Sequence, residues 1–230
     1  MGVINPIKKI ISIVKPVSDP LLDDLRVYLI TQRSLFTEQG FLETLELALE
    51  GGVRALQLRE KDLSPAEIYF LAQKVRSLTE KYGAKLFIND RVDIAHMVKA
   101  DGVHLAENSV SAAEVRQNFP DLLVGVSTHS MESACQAESA GAHFITFSPI
   151  FETPSKLEFG PPQGLEQLRA VCRAVKLPVL ALGGISKNRV LTVLEQGAFG
   201  VALISGIWNG PDIKQESFEY MQFFGRREPT

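Results

Sequence analysis

Gln57, inside the apolar run "RALQL", and Arg59 and Lys61, just after it, stand at alternate positions. Alternate side chains of an extended backbone share one face, so an amide, a guanidinium and an ammonium would converge on a single point. Such a trio suits an oxygen-rich anion. The arginine fork can take two oxygens at once, and the lysine adds a mobile point charge. The same residue types close other apolar runs. Asn89 and Asp90 follow "KLFI"; His104, Glu107, Asn108 and Ser109 belong to or follow "GVHL". Ser127, Thr128, His129 and Ser130 end "GVSTHS", and Thr153, Ser155 and Lys156 lie in "FETPSK". Asp90, a carboxylate among cations, points to a hard divalent ion bridging to phosphate, since Mg2+ commonly takes one or two protein carboxylates plus phosphates and water. Gly183-Gly184 and Ser205-Gly206 place small residues at the ends of the last two runs, where backbone N–H groups could hold a second phosphate.

Plainer roles exist for several of these groups. His104 within "GVHLA" reads as a satisfied interior histidine, and His96 and His143 as structural or exposed. Asp93 and Asp101 read as braces around the third helix. Gly183-Gly184 serve tight packing of a loop on the sheet as readily as they serve a ligand.

The elements that must position these residues alternate in a regular way. Eight apolar or β-branched runs are predicted as strands: 26–31, 55–60, 85–90, 102–107, 123–129, 143–150, 178–184 and 200–207. Most are nearly continuously apolar, as strands covered on both faces should be. Helix-period stretches separate them. The stretch beginning "SPAEIYF" has Ser64 as N-cap, Pro65 in the first turn, Glu67 three residues after the cap and Gly83 at its end. Eight such units predict a single α/β (β/α)8 TIM barrel, with an N-terminal extension over 1–25 and the barrel over 26–220. An open doubly wound sheet is the alternative, but no Gly-x-Gly-x-x-Gly follows the first strand. In a barrel the candidate residues share the C-terminal rim of the strands, where active sites of this architecture sit.

A net charge of −3 over 230 residues gives no reason to expect nucleic acid or a membrane surface as partner. The partners expected are small phosphorylated molecules, and a homo-oligomer stays open. No apolar run is long enough to span a bilayer. Cys135 and Cys172 form neither a disulfide framework nor a zinc pattern, which fits a reduced, cytoplasmic setting. The segment "FETPSKLEFGPPQG" reads as a candidate lid.

Taken in order, "QLREK", "FINDRVDIA", "ADGVHL", "GVSTHS", "PIFETPSK", "ALGGI" and "GVALISGI" resemble the successive motifs of the thiamine phosphate synthase/TenI superfamily, from Arg26 to Ile207. The resemblance implies a thiamine biosynthesis transferase. Hydroxymethylpyrimidine pyrophosphate would lose pyrophosphate, and the ring nitrogen of thiazole phosphate would trap the pyrimidine cation. It further implies that Arg59, Lys61, Ser127 and Lys156 hold the leaving diphosphate, with Asn89, Thr153 and Ser155 as further contacts. Gln57 would bind the pyrimidine, Asp90 would bind Mg2+, and Gly184 and Ser205 would cradle the thiazole phosphate. One position departs from the pattern. Where the synthases usually carry a second Asp ligand for Mg2+, this chain has Ser109 in "AENS". The lost ligand admits a TenI-like thiazole tautomerase, metal-independent and using His129 as acid/base, or a non-catalytic thiamine-precursor-binding barrel. The complete diphosphate set of Gln57, Arg59, Lys61, Asn89 and Asp90 favours the synthase.

Overall fold

The computed structural model describes residues 20–153 and 161–225. Eight parallel strands close into a barrel in sequence order, with β8 pairing to β1. The strands are β1 (Val27–Ile30), β2 (Ala55–Leu58), β3 (Lys85–Asn89) and β4 (Gly102–Leu105), then β5 (Leu123–Thr128), β6 (Phe144–Phe147), β7 (Val179–Leu182) and β8 (Gly200–Leu203). Helices follow them: α1 (Glu38–Glu50), α2 (Pro65–Lys81), α3 (Val92–Met97), α4 (Ala112–Asn118) and α5 (Met131–Ser139). The later ones are α6 (Gly164–Ala174), α7 (Lys187–Glu195), the short α8 (Ser205–Trp208) and α9 (Ile213–Gln222). The N-terminus of α2 carries the capping box read from the sequence, with Ser64 and Glu67 each accepting from the other's backbone N–H.

Every predicted strand exists, and all eight are shorter than expected. β2 stops at Leu58, so Arg59 and Lys61 lie beyond it. Ser205 does not extend a strand but begins α8. After β8 the apolar composition continues, because Ile207 and Trp208 still pack on the core; there the sequence pattern marks burial rather than the end of the ladder.

Two apolar layers hold the barrel. Outward strand residues such as Val27, Leu56, Ile88, Val103, Val124, Ile145 and Val201 meet the helices. Inside, Tyr28, Ala55, Phe87, Phe144, Leu180, Phe199 and Ala202 form a separate cluster closed by Leu22 and Leu25. Those two leucines come from a 3-10 turn, Pro20–Arg26, so the end of the predicted extension packs into the barrel base. Tyr28, Phe87 and Phe144 meet edge to face at centroid distances of 5.3–5.4 Å, a favourable arrangement of ring quadrupoles.

The rings fit because Gly125 has no side chain. A Cβ there would come within 2.3 Å of Phe144 Cζ and 2.8 Å of His104 Nδ1. Gly125→Ala is therefore expected to destabilise the barrel by about 1–3 kcal/mol through overpacking. Urea unfolding checks this, and an unchanged midpoint would show that the interior relaxes freely.

Candidate active site

The barrel interior changes character along its axis. The apolar cluster fills the base, while Gln57, Asn89, His104, Ser127 and Thr146 occupy positions towards the C-terminal ends of their strands. Strand pairing places these residues on the inner face: Gln57 lies beside Phe87, Asn89 beside His104, His104 beside Gly125, and Ser127 beside Thr146. Gln57 is buried, and Asn89 and Ser127 are half-buried.

His104 is the hub. Its Nδ1 lies 3.3 Å from the Tyr28 hydroxyl, and its Nε2 lies 3.1 Å from Ser127 Oγ and 3.4 Å from Thr146 Oγ1. Burial dominates its titration and holds the imidazole pKa down to about 3; the Asp90 carboxylate opposes that shift and the Arg59 cation adds to it. The ring is therefore neutral at pH 7, a satisfied interior histidine. The Asp90 N–H donates to the His104 carbonyl at 3.0 Å, and Arg59 follows the inward-facing Gln57 by two residues at the end of β2, so both stand at the same mouth. Burial likewise raises the pKa of the fully buried Tyr28 hydroxyl well above its ordinary value, which keeps it a neutral hydrogen-bonding group.

Arg59 is half-buried and Lys61 is exposed. Neither side chain has a hydrogen-bond or ion-pair partner among the described residues. Two cations without a partner among the described residues, beside a polar interior, leave positive charge available to a ligand.

Asp90 adopts φ +56°, the left-handed region, which Asp and Asn enter more readily than most residues. Its Oδ1 accepts from the Ala106 N–H at 2.7 Å and its Oδ2 from Asn89 Nδ2 at 3.0 Å. The carboxylate thus ties the end of β3 to the loop after β4, and each oxygen keeps a further lone pair. No group of three His, Cys, Asp or Glu side chains that could hold a metal occurs among the described residues. This donor set fits only a cation that arrives with most of its ligands, as Mg2+ on a diphosphate does.

His129 sits on the same rim, after β5. Its Nδ1 lies 2.7 Å from the Ser148 carbonyl oxygen. A carbonyl can only accept, so the proton is on Nδ1 and Nε2 is left as the basic nitrogen. Nε2 lies 3.9 Å from Glu107 Oε2. Glu107 and Ser109 line a cleft of about 250 Å³ that reaches Ser127. A larger cavity of about 480 Å³ lies between α1 and α9, around Arg54 and Lys214. It lies beside the residue leading into β2, at the opposite end from the rim, and none of the candidate residues lines it.

Gly183 and Gly184 have φ of +100° and +65°. A Cβ on Gly183 would lie 2.8 Å from Pro149 Cα, and one on Gly184 would lie 2.8 Å from Phe151 Cβ. Both glycines thus let the loops after β6 and β7 meet, a packing role that leaves a ligand role possible for their N–H groups. Gly206 in turn abuts the Ile185 carbonyl, where a Cβ would come within 3.0 Å, so the turn after β8 lies against the one after β7. Ser205 is exposed beside it. Thr153 Oγ1 is buried without a hydrogen-bond partner among the described residues. Ser155, Lys156 and the central part of the candidate lid lie outside the described residues.

Of the residues read as structural, Asp93 lies at the third helix, whereas Asp101 is bonded to β3 and α2 rather than to that helix. Asp101 braces the β3–β4 region, accepting from the Leu86 N–H at 2.8 Å and from Arg76 Nη1 at 2.6 Å. Asp93 pairs with Arg91. His96 is exposed against Phe119, and His143 Nδ1 accepts from the Val124 N–H. Sequence reasoning missed Tyr28 and Ser148, which fix the two rim-side histidines, and Thr31 and Glu60, which lie behind Arg59. A glutamate inside the predicted strand "ALQLRE", at the parity opposite to Arg59, was the available signal for Glu60.

The family comparison agrees with this geometry. A family model described as thiamine monophosphate synthase matches residues 27–207. A putative thiamine-phosphate synthase 2 of Aquifex aeolicus is 52% identical over 180 residues, 78% of this chain and 96% of that protein. A thiamine-phosphate synthase of Syntrophomonas wolfei is 37% identical over 88% of this chain and 98% of its own. Among solved structures, a thiamine phosphate pyrophosphorylase from Pyrococcus furiosus superposes with a TM-score of 0.81 at 36% identity, covering 89% of this chain and 98% of that one. With its barrel spanned by the match and its polar rim built at the strand ends, this chain belongs to the thiamine monophosphate synthase family.

Proposed function

We propose that the protein is a transferase that joins hydroxymethylpyrimidine pyrophosphate to thiazole phosphate, giving thiamine phosphate and pyrophosphate. The observation that carries this reading is the placing of Arg59, unpaired among the described residues and two residues beyond the inward-facing Gln57, with Asp90, His104 and Ser127 at one barrel mouth. In the reaction the bond between the pyrimidine methylene carbon and the diphosphate oxygen breaks, and its electron pair leaves with the diphosphate. The thiazole ring nitrogen then donates its lone pair to that carbon.

Arg59 and Lys61 stabilise the charge that develops on the departing diphosphate, and Ser127 and Asn89 orient it through hydrogen bonds. Ser155 and Lys156 are assigned to the same group by the family motif alone. Preformed charges in a site sheltered from water supply this kind of stabilisation without reorganisation during the reaction. Gln57, buried below the cations, has the amide needed to read the edge of the pyrimidine. The backbone around Gly184 and Ser205 would receive the thiazole phosphate. Mg2+ held by Asp90 and the diphosphate would supply further charge neutralisation on the leaving group.

Steady-state turnover of the purified chain with both substrates, followed by pyrophosphate release, tests the reading. Absence of release at saturating substrate and Mg2+ would overturn it. Ser109→Asp restores a carboxylate at the position where related synthases usually have one. It is expected to lower the Mg2+ concentration for half-maximal rate by about tenfold, the effect of roughly one well-placed charged contact. An unchanged Mg2+ dependence would count against metal at this position.

His129 supports a second reading, because its tautomer leaves Nε2 as a base at the rim. Proton exchange on a thiazole carboxylate phosphate, with no pyrophosphate release, would favour that tautomerase activity.

A further inference from the structure

β2 ends at Leu58, yet Arg59 still acts on the interior ring of His104. The ladder is continued by a side chain. The Gln57 carbonyl accepts from the Thr31 N–H at 2.9 Å, and the Thr31 hydroxyl oxygen then accepts from the Arg59 N–H, also at 2.9 Å. The same hydroxyl donates to Glu60 Oε1 at 2.5 Å, and this oxygen also accepts from the Arg33 N–H at 3.0 Å. Two residues later, Asp62 Oδ2 pairs with Arg33 Nη2 at 2.5 Å. Glu60 and Asp62 are thus tied to the segment after β1. Arg59 and Lys61, of the opposite parity, are left for the mouth.

A carboxylate at this place needs a reason. Glu60 is only 7% exposed and Thr31 only 3%, and burying a charge is costly unless it is hydrogen-bonded. Burial raises the Glu60 carboxyl pKa, while the bonds from Thr31 and the Arg33 backbone oppose that rise. An ionised carboxylate can only accept, so it dictates where the Thr31 proton points. With that proton fixed on Glu60, a Thr31 lone pair faces the Arg59 N–H. The carboxylate's contribution is the orientation of the hydroxyl, and the hydroxyl's contribution is the position of the Arg59 backbone.

We propose that Thr31 and Glu60 are positioning residues that set the Arg59–Lys61 grip on the diphosphate, the hydroxyl fixing the Arg59 backbone and the carboxylate fixing the hydroxyl. The inference rests on the reading that Arg59 and Lys61 hold that diphosphate. Small displacements of a binding group cost large factors in rate and affinity, so the brace acts through geometry without touching substrate.

Thr31→Val keeps the side-chain shape and removes both bonds. It is expected to raise KM for the pyrimidine diphosphate, and the inhibition constant of inorganic pyrophosphate, by about tenfold, the loss of roughly one hydrogen bond in a buried site. KM for the thiazole phosphate stays within about twofold, and Thr31→Ser, which retains the hydroxyl, restores the first KM. In an Arg59→Ala background Thr31→Val has a smaller further effect on pyrophosphate affinity than in the parent, because only Lys61 of the two groups it positions remains. Glu60→Gln, which keeps an acceptor oxygen but can also turn its donor towards Thr31, moves the same constants in the same direction and serves where Thr31→Val fails to fold. If Arg59→Ala leaves pyrophosphate affinity at the wild-type value, the diphosphate reading fails and the proposal with it. If Arg59→Ala weakens pyrophosphate but the folded Thr31 and Glu60 variants change both KM values equally, or neither, the brace alone is overturned.

Discussion

Arg59→Ala is expected to lower kcat/KM for the pyrimidine diphosphate by about 10²–10³-fold, the range for removing one charge-stabilising donor from a preorganised site. The unfolding midpoint should stay within about 2 °C of the parent, because no lost contact is large enough to move it further. The two halves of this expectation have separate origins. The Arg59 guanidinium has no hydrogen-bond or ion-pair partner among the described residues, so its removal leaves no buried group unsatisfied. In the reaction the same cation meets negative charge as it forms, in a mouth walled by Gln57, Asn89, His104 and Ser127. A loss of 10²–10³ corresponds to about 2.7–4 kcal/mol of transition-state stabilisation. Arg59→Lys keeps the charge and loses the planar fork, so it should fall between the two. Turnover with saturating thiazole phosphate, alongside thermal unfolding, checks both halves. Wild-type turnover in Arg59→Ala would mean that the diphosphate sits elsewhere, whatever the family likeness.

The parts of the molecule that were legible in the sequence are those fixed by local pattern. Eight nearly continuous apolar runs and a capped helix at Ser64 specify strands buried on both faces and the helices that cover them. The polar residues closing those runs fall on one rim because all strands of the barrel are parallel. Contacts between distant positions were not legible. Tyr28 meets His104 across 76 residues, Thr31 meets Glu60 across 29, and His129 meets the Ser148 carbonyl across 19. None of these pairs leaves a periodic trace. The helix α9 was also missed: it lies beyond the last motif, and its buried face of Ser217, Tyr220 and Met221 is short and half polar. Ser205 was placed on a strand because "GVALISGI" stays apolar through the turn into α8, where Ile207 and Trp208 are buried.

Acid should destabilise the fold through His104, and the direction follows from its burial. Desolvation in the barrel interior holds the folded imidazole pKa at about 3, while the unfolded chain returns to the ordinary value of 6.5. Between those limits the unfolded state binds a proton that the folded state refuses. Stability therefore rises with pH across this window; the contribution is fully present above 6.5 and is lost as pH falls towards 3. Each pH unit well inside the window costs ~1.4 kcal/mol, so lowering pH from 7.5 to 4.5 should remove roughly 2.7 kcal/mol from this one group. His104→Gln retains an amide able to meet Tyr28 or Ser127 but cannot titrate. It is expected to be less stable than the parent at pH 7.5, since the interior is built around an imidazole, yet its stability should fall less steeply with acid, by about one proton in the slope. Arg59→Ala should also ease acid sensitivity, because it removes a cation that opposes protonation of the ring. Urea unfolding between pH 4.5 and 7.5 measures all three slopes. Equal slopes for the parent and His104→Gln would mean that the interior ring keeps an ordinary affinity for its proton, and that water reaches the hub on which the rim is built.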